Sequence, residues 1–462
     1  MSSVCWMRPL KMRNRRAQTD RRLVNRLRSR LLSFAGVSPL LLLASACVSA
    51  SHGISSFAAG EGRVPARFQE VDELLKGAVA DGDSAGLALL VVRRGNVEFL
   101  QVHGEAELGT GRPLRTDSIF RVYSMTKAMT SVAAMMLWED GKLRLDDPVA
   151  AYLPEWREPV VGKYTLTGHK IVPAERTMTI RDLLRHTSGI PYYDWLLPPY
   201  PELYEAEMNY DGGPKSLADF SRRLSKVPLV HQPQAMWTYG AGTDVLGLVV
   251  EVVSGQPFEE FLKERLITPL GMVDTGFFVE EEDWSRFAAL HEVDEEGKVS
   301  GVDESGWASY RGPPSYPSGG GGLVSTMSDY LMFLQMLLDG GEWKGRRYLR
   351  ERTVRLMTSP SSAAGAPHPV FNPFGLGFEV IAERNEHKGW AMEGAYGWSG
   401  VARTHYVVDP ERDLILLLYQ QVMPFDVGLR NEVFEAVHRA LSIYPRQTAA
   451  ETASQSEVTD EG

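Results

Sequence analysis

Apolar residues recur at helical spacing from Phe68 to Val79 and stop at the breaker run Asp81-Gly82-Asp83, which predicts a first helix. Ala85 to Val92 and Val97 to Val102 then flank Arg93-Arg94-Gly95-Asn96, the pattern of two strands joined by a turn. From Ser124 to Asp140 the chain is apolar nearly all round, through Met129, Val132, Ala133, Ala134, Met135, Met136 and Leu137, and Gly141 ends it. A helix with almost no polar face has to be covered on every side, so it belongs in the middle of the molecule.

Residues from about Leu145 to Leu270 predict helices and loops, with a proline- and tyrosine-rich stretch between Ile190 and Tyr210. A further helix is predicted from Thr326 to Leu338, where Thr326 and Asp329 have the spacing of a capping box. Ala402 to Val408 and Leu414 to Gln420, on either side of Asp409-Pro410-Glu411-Arg412-Asp413, form the clearest hairpin. An amphipathic helix from Leu429 to Leu441 closes the folded part. The pattern describes an α/β (α+β) body: a sheet flanked by the terminal helices and interrupted by a helical insertion at about 145–270. No period of roughly 20–50 residues recurs, which excludes a solenoid or propeller.

The first fifty residues are of another kind. Ten arginines and lysines against the single acid Asp20 precede an uncharged run from Leu31 to Ala50, the order of an export leader. The small residues Ala44-Ser45-Ala46 stand directly before Cys47, so cleavage after Ala46 and lipid attachment to Cys47 are both open. A retained membrane anchor is the third option, since about 20 apolar residues span a bilayer, although Pro39 interrupts this run. The expected organisation is a leader at 1–50, a polar linker at 51–63, a folded domain at 64–445 and a disordered polar tail at 446–462. The expected location is the periplasm, or the cell envelope through an anchor.

Charge and cysteines follow that division. The chain carries −10 overall, and removing the leader's surplus of nine positive charges leaves −19 on the remainder. An acidic body argues against nucleic acid as a partner. The only two cysteines, Cys5 and Cys47, lie in the leader, so the body has neither a disulfide nor a thiolate metal site.

The candidate chemistry centres on Ser124-Met125-Thr126-Lys127. A spacing of three places both side chains on one helix face, where the amine reaches the serine oxygen. Loss of water disfavours a charged lysine, and the apolar helix that follows supplies a dry wall. An unprotonated Lys127 could then activate Ser124 for attack on a carbonyl. The run Gly319-Gly320-Gly321-Gly322 is not followed by Lys-Ser/Thr and does not make a phosphate loop. No Gly-x-Ser-x-Gly elbow occurs. The ten histidines show no metal-binding spacing, so no metal and no cofactor is expected.

The surroundings of Ser124 resemble the serine β-lactamase and penicillin-binding-protein superfamily, in its class C β-lactamase and family VIII carboxylesterase branch. The likeness runs from about Phe68 to Leu441. It rests on Phe120 to Lys127, Leu145 to Pro154, Leu183 to Gly189, Trp237-Thr238-Tyr239, Gly320 to Thr326 and Gly397-Trp398-Ser399-Gly400, all in family order. The resemblance implies the β-lactamase/transpeptidase-like fold, an antiparallel sheet flanked by helices, and an acyl-enzyme on Ser124 with Lys127 as base. It implies Tyr239 as a proton-transfer partner; Tyr239-Gly240-Ala241 lacks the asparagine of the family's Tyr-x-Asn.

Trp398-Ser399-Gly400 stands where the family has Lys-Thr-Gly, so Trp398 to Val401 would line the cleft and the N–H groups of Val401 and Ser124 would form the oxyanion hole. The missing lysine removes the cation expected to hold a β-lactam's carboxylate, with Arg403 and His405 as the neighbours that strand alternation would have to bring into its place. In the family, His186 belongs to a structural turn. The implied partner is a small-molecule ester or amide, and the implied function a carboxylesterase, its acyl pocket lined by aromatics such as Trp398, Tyr192 or Tyr193. The alternatives are a β-lactamase or D-alanyl-D-alanine peptidase and a catalytically silent envelope binding module, the last disfavoured by the joint presence of Ser124, Lys127 and Tyr239.

Overall fold

Strand alternation divides the segment Gly86–Arg93 into two apolar faces, and both are covered. A computed structural model of the chain describes residues 64–165, 168–193, 196–302, 310–361, 373–381 and 392–443; the expected leader, linker and tail, with both cysteines, lie outside these residues. Within them, β1 (Gly86–Arg93), β2 (Asn96–Glu107) and β3 (Arg112–Pro113) join β4 (Glu379–Val380), β5 (Tyr396–Gly400), β6 (Thr404–Asp409) and β7 (Leu414–Tyr419). They form one antiparallel sheet of order β4-β5-β6-β7-β1-β2-β3.

The N-terminal strand pair and the C-terminal hairpin meet at the centre, where Leu89 stands opposite Leu418. Leu87, Leu89 and Val91 face Phe68, Val71 and Leu75 at helix α1 (Gln69–Ala80) and Val433, Phe434 and Val437 of the last helix, Gly428–Ala440. Ala88, Leu90 and Val92 face the opposite core. Each large side chain so removed from water contributes about 1.5–3 kcal/mol, which explains why near-continuous apolar runs are stable as strands here.

That second core is built round α2 (Thr126–Glu139), in which every residue from Thr126 to Leu137 is buried. Its main partner is α3 (Gly242–Ser254), and Phe333 and Tyr330 of α4 (Met327–Leu338) belong to the same core. The two ends of the future site are tied together by a short ribbon in which Phe120–Arg121 pairs with Val324–Ser325.

Two details differ from the sequence reading. The insertion region contains a β-hairpin, Val160–Thr165 with Gly168–Pro173, beside its helices. Of its first strand only Val161 and Gly162 are buried, so it has too few apolar positions for a period of two to show. Thr326 does accept from Asp329 N–H at 3.2 Å. The Asp329 carboxylate, however, does not reach back to complete a capping box; it accepts from Asp274 N–H (2.7 Å) and from the Thr275 hydroxyl (2.9 Å), tying a distant loop to the helix start.

Candidate active site

Ser124 sits in a 3₁₀ turn, Tyr123–Met125, that runs directly into α2. Tyr123 has φ +40°, an unusual backbone for a large side chain and one kept only where packing over-determines it. Its ring packs with Leu290 and Ala402 and meets Tyr310 edge to face. One turn on, Lys127 is 2% exposed, and its Nζ lies 3.1 Å from Ser124 Oγ. The spacing of three therefore does what helix geometry predicts.

Nζ has two further neighbours, the Gly320 carbonyl at 2.6 Å and the Tyr192 hydroxyl at 3.0 Å. A carbonyl only accepts, so one N–H of Lys127 is committed to Gly320. In the neutral amine, the remaining N–H and the lone pair are divided between the two hydroxyls. An amine that donates to Tyr192 has its lone pair directed at Ser124. Burial, reinforced by the charge of Asp244, pushes the Tyr192 phenol well above its ordinary pKa, so it stands there as a neutral phenol.

Tyr239 reaches the same centre differently. Its ring centroid is 4.7 Å from Lys127 Nζ, within the range of a cation–π contact. Its hydroxyl accepts from Trp398 Nε1 at 3.3 Å. The phenol in hydrogen-bond contact with the lysine is thus Tyr192, which the sequence offers only as a lining aromatic. Gly240 explains how the two tyrosines meet: a Cβ there would lie 1.9 Å from the Ile190 carbonyl oxygen. Only glycine lets the two segments come together, and the rings of Tyr192 and Tyr239 end 5.4 Å apart.

The glycine run has the same origin. A Cβ on Gly319 would meet Thr243 O at 2.7 Å, one on Gly320 would meet Asp244 Oδ2 at 2.3 Å, and one on Gly322 would meet Phe277 and Ser318 at 2.8 Å. Thr130 donates to the Gly319 carbonyl and Thr126 accepts from Leu323 N–H, stapling the run to α2. Its glycines serve close backbone approach, which is how the Gly320 carbonyl arrives over Lys127.

Along β5 the alternation is resolved. Trp398 faces Tyr239, their rings 5.3 Å apart, while Ser399 points the other way and bonds His405 Nδ1 at 2.7 Å. His405 is fully buried there, and burial holds its pKa well below the usual value. The Arg403 guanidinium is turned to the Pro424 carbonyl. Neither side chain is turned to the side on which Trp398 meets Tyr239. Of the four expected cleft residues, Ser399 therefore turns its side chain away from Tyr239. A Cβ on Gly400 would lie 2.6 Å from Val122 O, so the end of β5, and Val401 after it, runs hard against the segment carrying Ser124.

His186 lies behind Tyr239, ring centroids 5.0 Å apart, with Phe374 at 5.2 Å and Trp237 at 5.8 Å. Burial first, and the Lys127 charge second, push its pKa down to about 3. It is a neutral member of an aromatic wall made by Trp237, Tyr239, Phe374 and Trp398. This arrangement sets a buried amine against the Ser124 hydroxyl, keeps two phenols close to that amine, and offers a wall of rings against which an apolar group can sit.

Residues 71–437 match the Beta-lactamase family model. An uncharacterized protein of Mycobacterium tuberculosis is 36% identical over 341 residues, covering 71% of this chain and 84% of that protein. Esterase EstB of Burkholderia gladioli is 33% identical over 286 residues, 58% of this chain and 69% of the esterase. Among solved structures, EstCE1, titled a hydrolase with promiscuous acyltransferase activity, superposes with a TM-score of 0.68 at 25% identity, over 80% of this chain and 98% of its own.

Proposed function

Because this chain belongs to the Beta-lactamase family, on a branch with esterase and acyltransferase members and a serine-hydrolase fold, we propose that it is a carboxylesterase working through an acyl-enzyme on Ser124. One observation carries the choice among substrates. Lys127 stands 3.1 Å from Ser124, while the strand beside them presents the Trp398 indole where a carboxylate-binding cation would be needed.

In this reading Lys127 takes the Ser124 proton as Oγ attacks the ester carbonyl. The developing oxyanion is stabilised by the N–H groups of Ser124 and Val401. Tyr239 delivers a proton to the departing alkoxide, its oxygen held by Trp398. Water then attacks the acyl-enzyme, losing its proton to the same machinery, and the acid leaves with Ser124 restored. The aromatic wall favours a neutral, apolar ester over an anionic one. The basic and then apolar leader supports an envelope location, by cleavage before Cys47 or by attachment through it.

The test offers the purified protein a p-nitrophenyl ester and a chromogenic cephalosporin, beside Ser124→Ala. Ester turnover reduced by at least about 10³-fold in the variant is expected. Cephalosporin turnover without ester turnover would instead favour a β-lactamase or D-alanyl peptidase. Absence of any fluorophosphonate adduct on Ser124 would favour a silent binding module.

A further inference from the structure

Asp244, in the first turn of α3, is a carboxylate 4% exposed to solvent. Among the described residues no lysine or arginine pairs with it: Oδ1 accepts from the Ser318 hydroxyl at 2.5 Å and from Gly320 N–H at 3.1 Å. Burial pushes its pKa upward, against which Ser318, the Lys127 charge and Gly320 act. Burying a carboxylate without a cation is costly, and the reaction outlined above makes no use of it.

The hydrogen bonds supply a use, because they all run one way. Lys127 Nζ–H donates to the Gly320 carbonyl at 2.6 Å. The amide that owns this carbonyl also owns Gly321 N–H, which donates to Ser318 Oγ at 3.1 Å. Ser318 Oγ–H donates in turn to Asp244 Oδ1. An unbroken line of donors thus leads from the lysine, through one peptide plane and one hydroxyl, to a buried negative charge. Chains of this kind polarise each member in the same sense, more strongly away from water.

We propose that Asp244 is a positioning residue of the proton machinery, orienting Lys127 through Ser318 and the Gly320–Gly321 peptide and stabilising the ammonium that Lys127 becomes on accepting the Ser124 proton. No proton travels along the line: the Ser124 hydrogen moves to Nζ, and every other hydrogen stays on its own atom. The inference rests on the Ser124–Lys127 reading above, and it parallels the way a buried carboxylate serves the imidazole of a hydrolytic triad. It also accounts for Gly320, whose Cβ would collide with Asp244 and come within 3.0 Å of the Tyr192 hydroxyl. A merely structural role, an acid favouring a helix start, would not require the line to reach Lys127.

The titratable groups around Lys127 are Ser124, Tyr192, Tyr239, His186 and Asp244; Asp244 itself faces Lys127, Tyr192 and Tyr316. The experiment follows the Lys127 ε-carbon resonance by NMR through a pH titration, assigned by its loss in Lys127→Ala, in the wild type, Asp244→Asn and Ser318→Ala. Removing the anion or cutting the line withdraws support from the ammonium. The midpoint is expected to fall by about one pH unit in Asp244→Asn and by less in Ser318→Ala. The acid limb of kcat/KM moves the same way, and kcat falls about tenfold with KM little changed. An unmoved midpoint and an unchanged kcat in folded Asp244→Asn would overturn the proposal, and if that variant does not fold, the same result in Ser318→Ala does so. The midpoint is read without turnover, so failure of the nucleophile reading, shown by ester hydrolysis surviving Ser124→Ala, is a separate outcome.

Discussion

The Trp398 indole donates to the Tyr239 hydroxyl across 3.3 Å, so the residue proposed to stand in place of a family cation is also the one that holds the proposed proton donor. Trp398→Phe keeps the aromatic wall and removes the donor. Its expected effect is a loss of about 3–10-fold in kcat toward a p-nitrophenyl ester, the worth of one neutral hydrogen bond, with KM changed less than twofold. A steady-state comparison checks both parameters; a KM effect alone would show that the indole serves binding.

The two phenols should separate in the same assay. Tyr239→Phe is expected to lower kcat by about 10²-fold or more, the scale of a lost general acid. Tyr192→Phe removes only a partner of Lys127, and about tenfold is expected. The reverse order would assign the leaving-group proton to Tyr192.

Acid should destabilise the fold through buried neutral imidazoles. Burial pushes His186 to about 3 and His438 to about 4, from 6.5. Their folded-state values are depressed, so below pH 6.5 the unfolded chain binds protons that the folded one refuses, and stability falls with pH. Each contributes about 1.4 kcal/mol of loss at pH 5.5, at 1.36 kcal/mol per unit. Thermal melts between pH 7.5 and 5 should show Tm falling below 6.5, and His186→Phe or His438→Phe should flatten the fall.

Gly240→Ala introduces a Cβ 1.9 Å from the Ile190 carbonyl oxygen. Because a Cβ is fixed rigidly to its own backbone and the atom it strikes is a backbone oxygen, the segments must separate, at a cost of about 1–3 kcal/mol or more. A lower denaturation midpoint and reduced ester turnover are expected together, since the same shift pulls Tyr192 from Tyr239. Unchanged stability would mean that the Ile190 and Gly240 segments can separate at no cost.

The apolar periodicity of the sequence already determined the large elements: α1, the strand pair after it, the all-apolar α2, the C-terminal hairpin and the last helix. Each is a local pattern repeated often enough to have one stable solution, and the spacing of three already places Ser124 and Lys127 one turn apart, with Ser124 in the 3₁₀ turn that leads into α2. Tertiary structure decided what local spacing does not contain. Tyr192, Asp244, Ser318 and Gly320 converge on Lys127 from segments 65 or more residues away in sequence, and no periodicity links such distances. The Gly320 position reads as a turn until the neighbouring segment is present to show what a Cβ would strike, and nothing local to Gly240 reveals its close approach to Ile190. The face on which Ser399 of β5 and His405 of β6 meet likewise depended on strand register, because a period of two leaves either face open until one of them is packed against its partner.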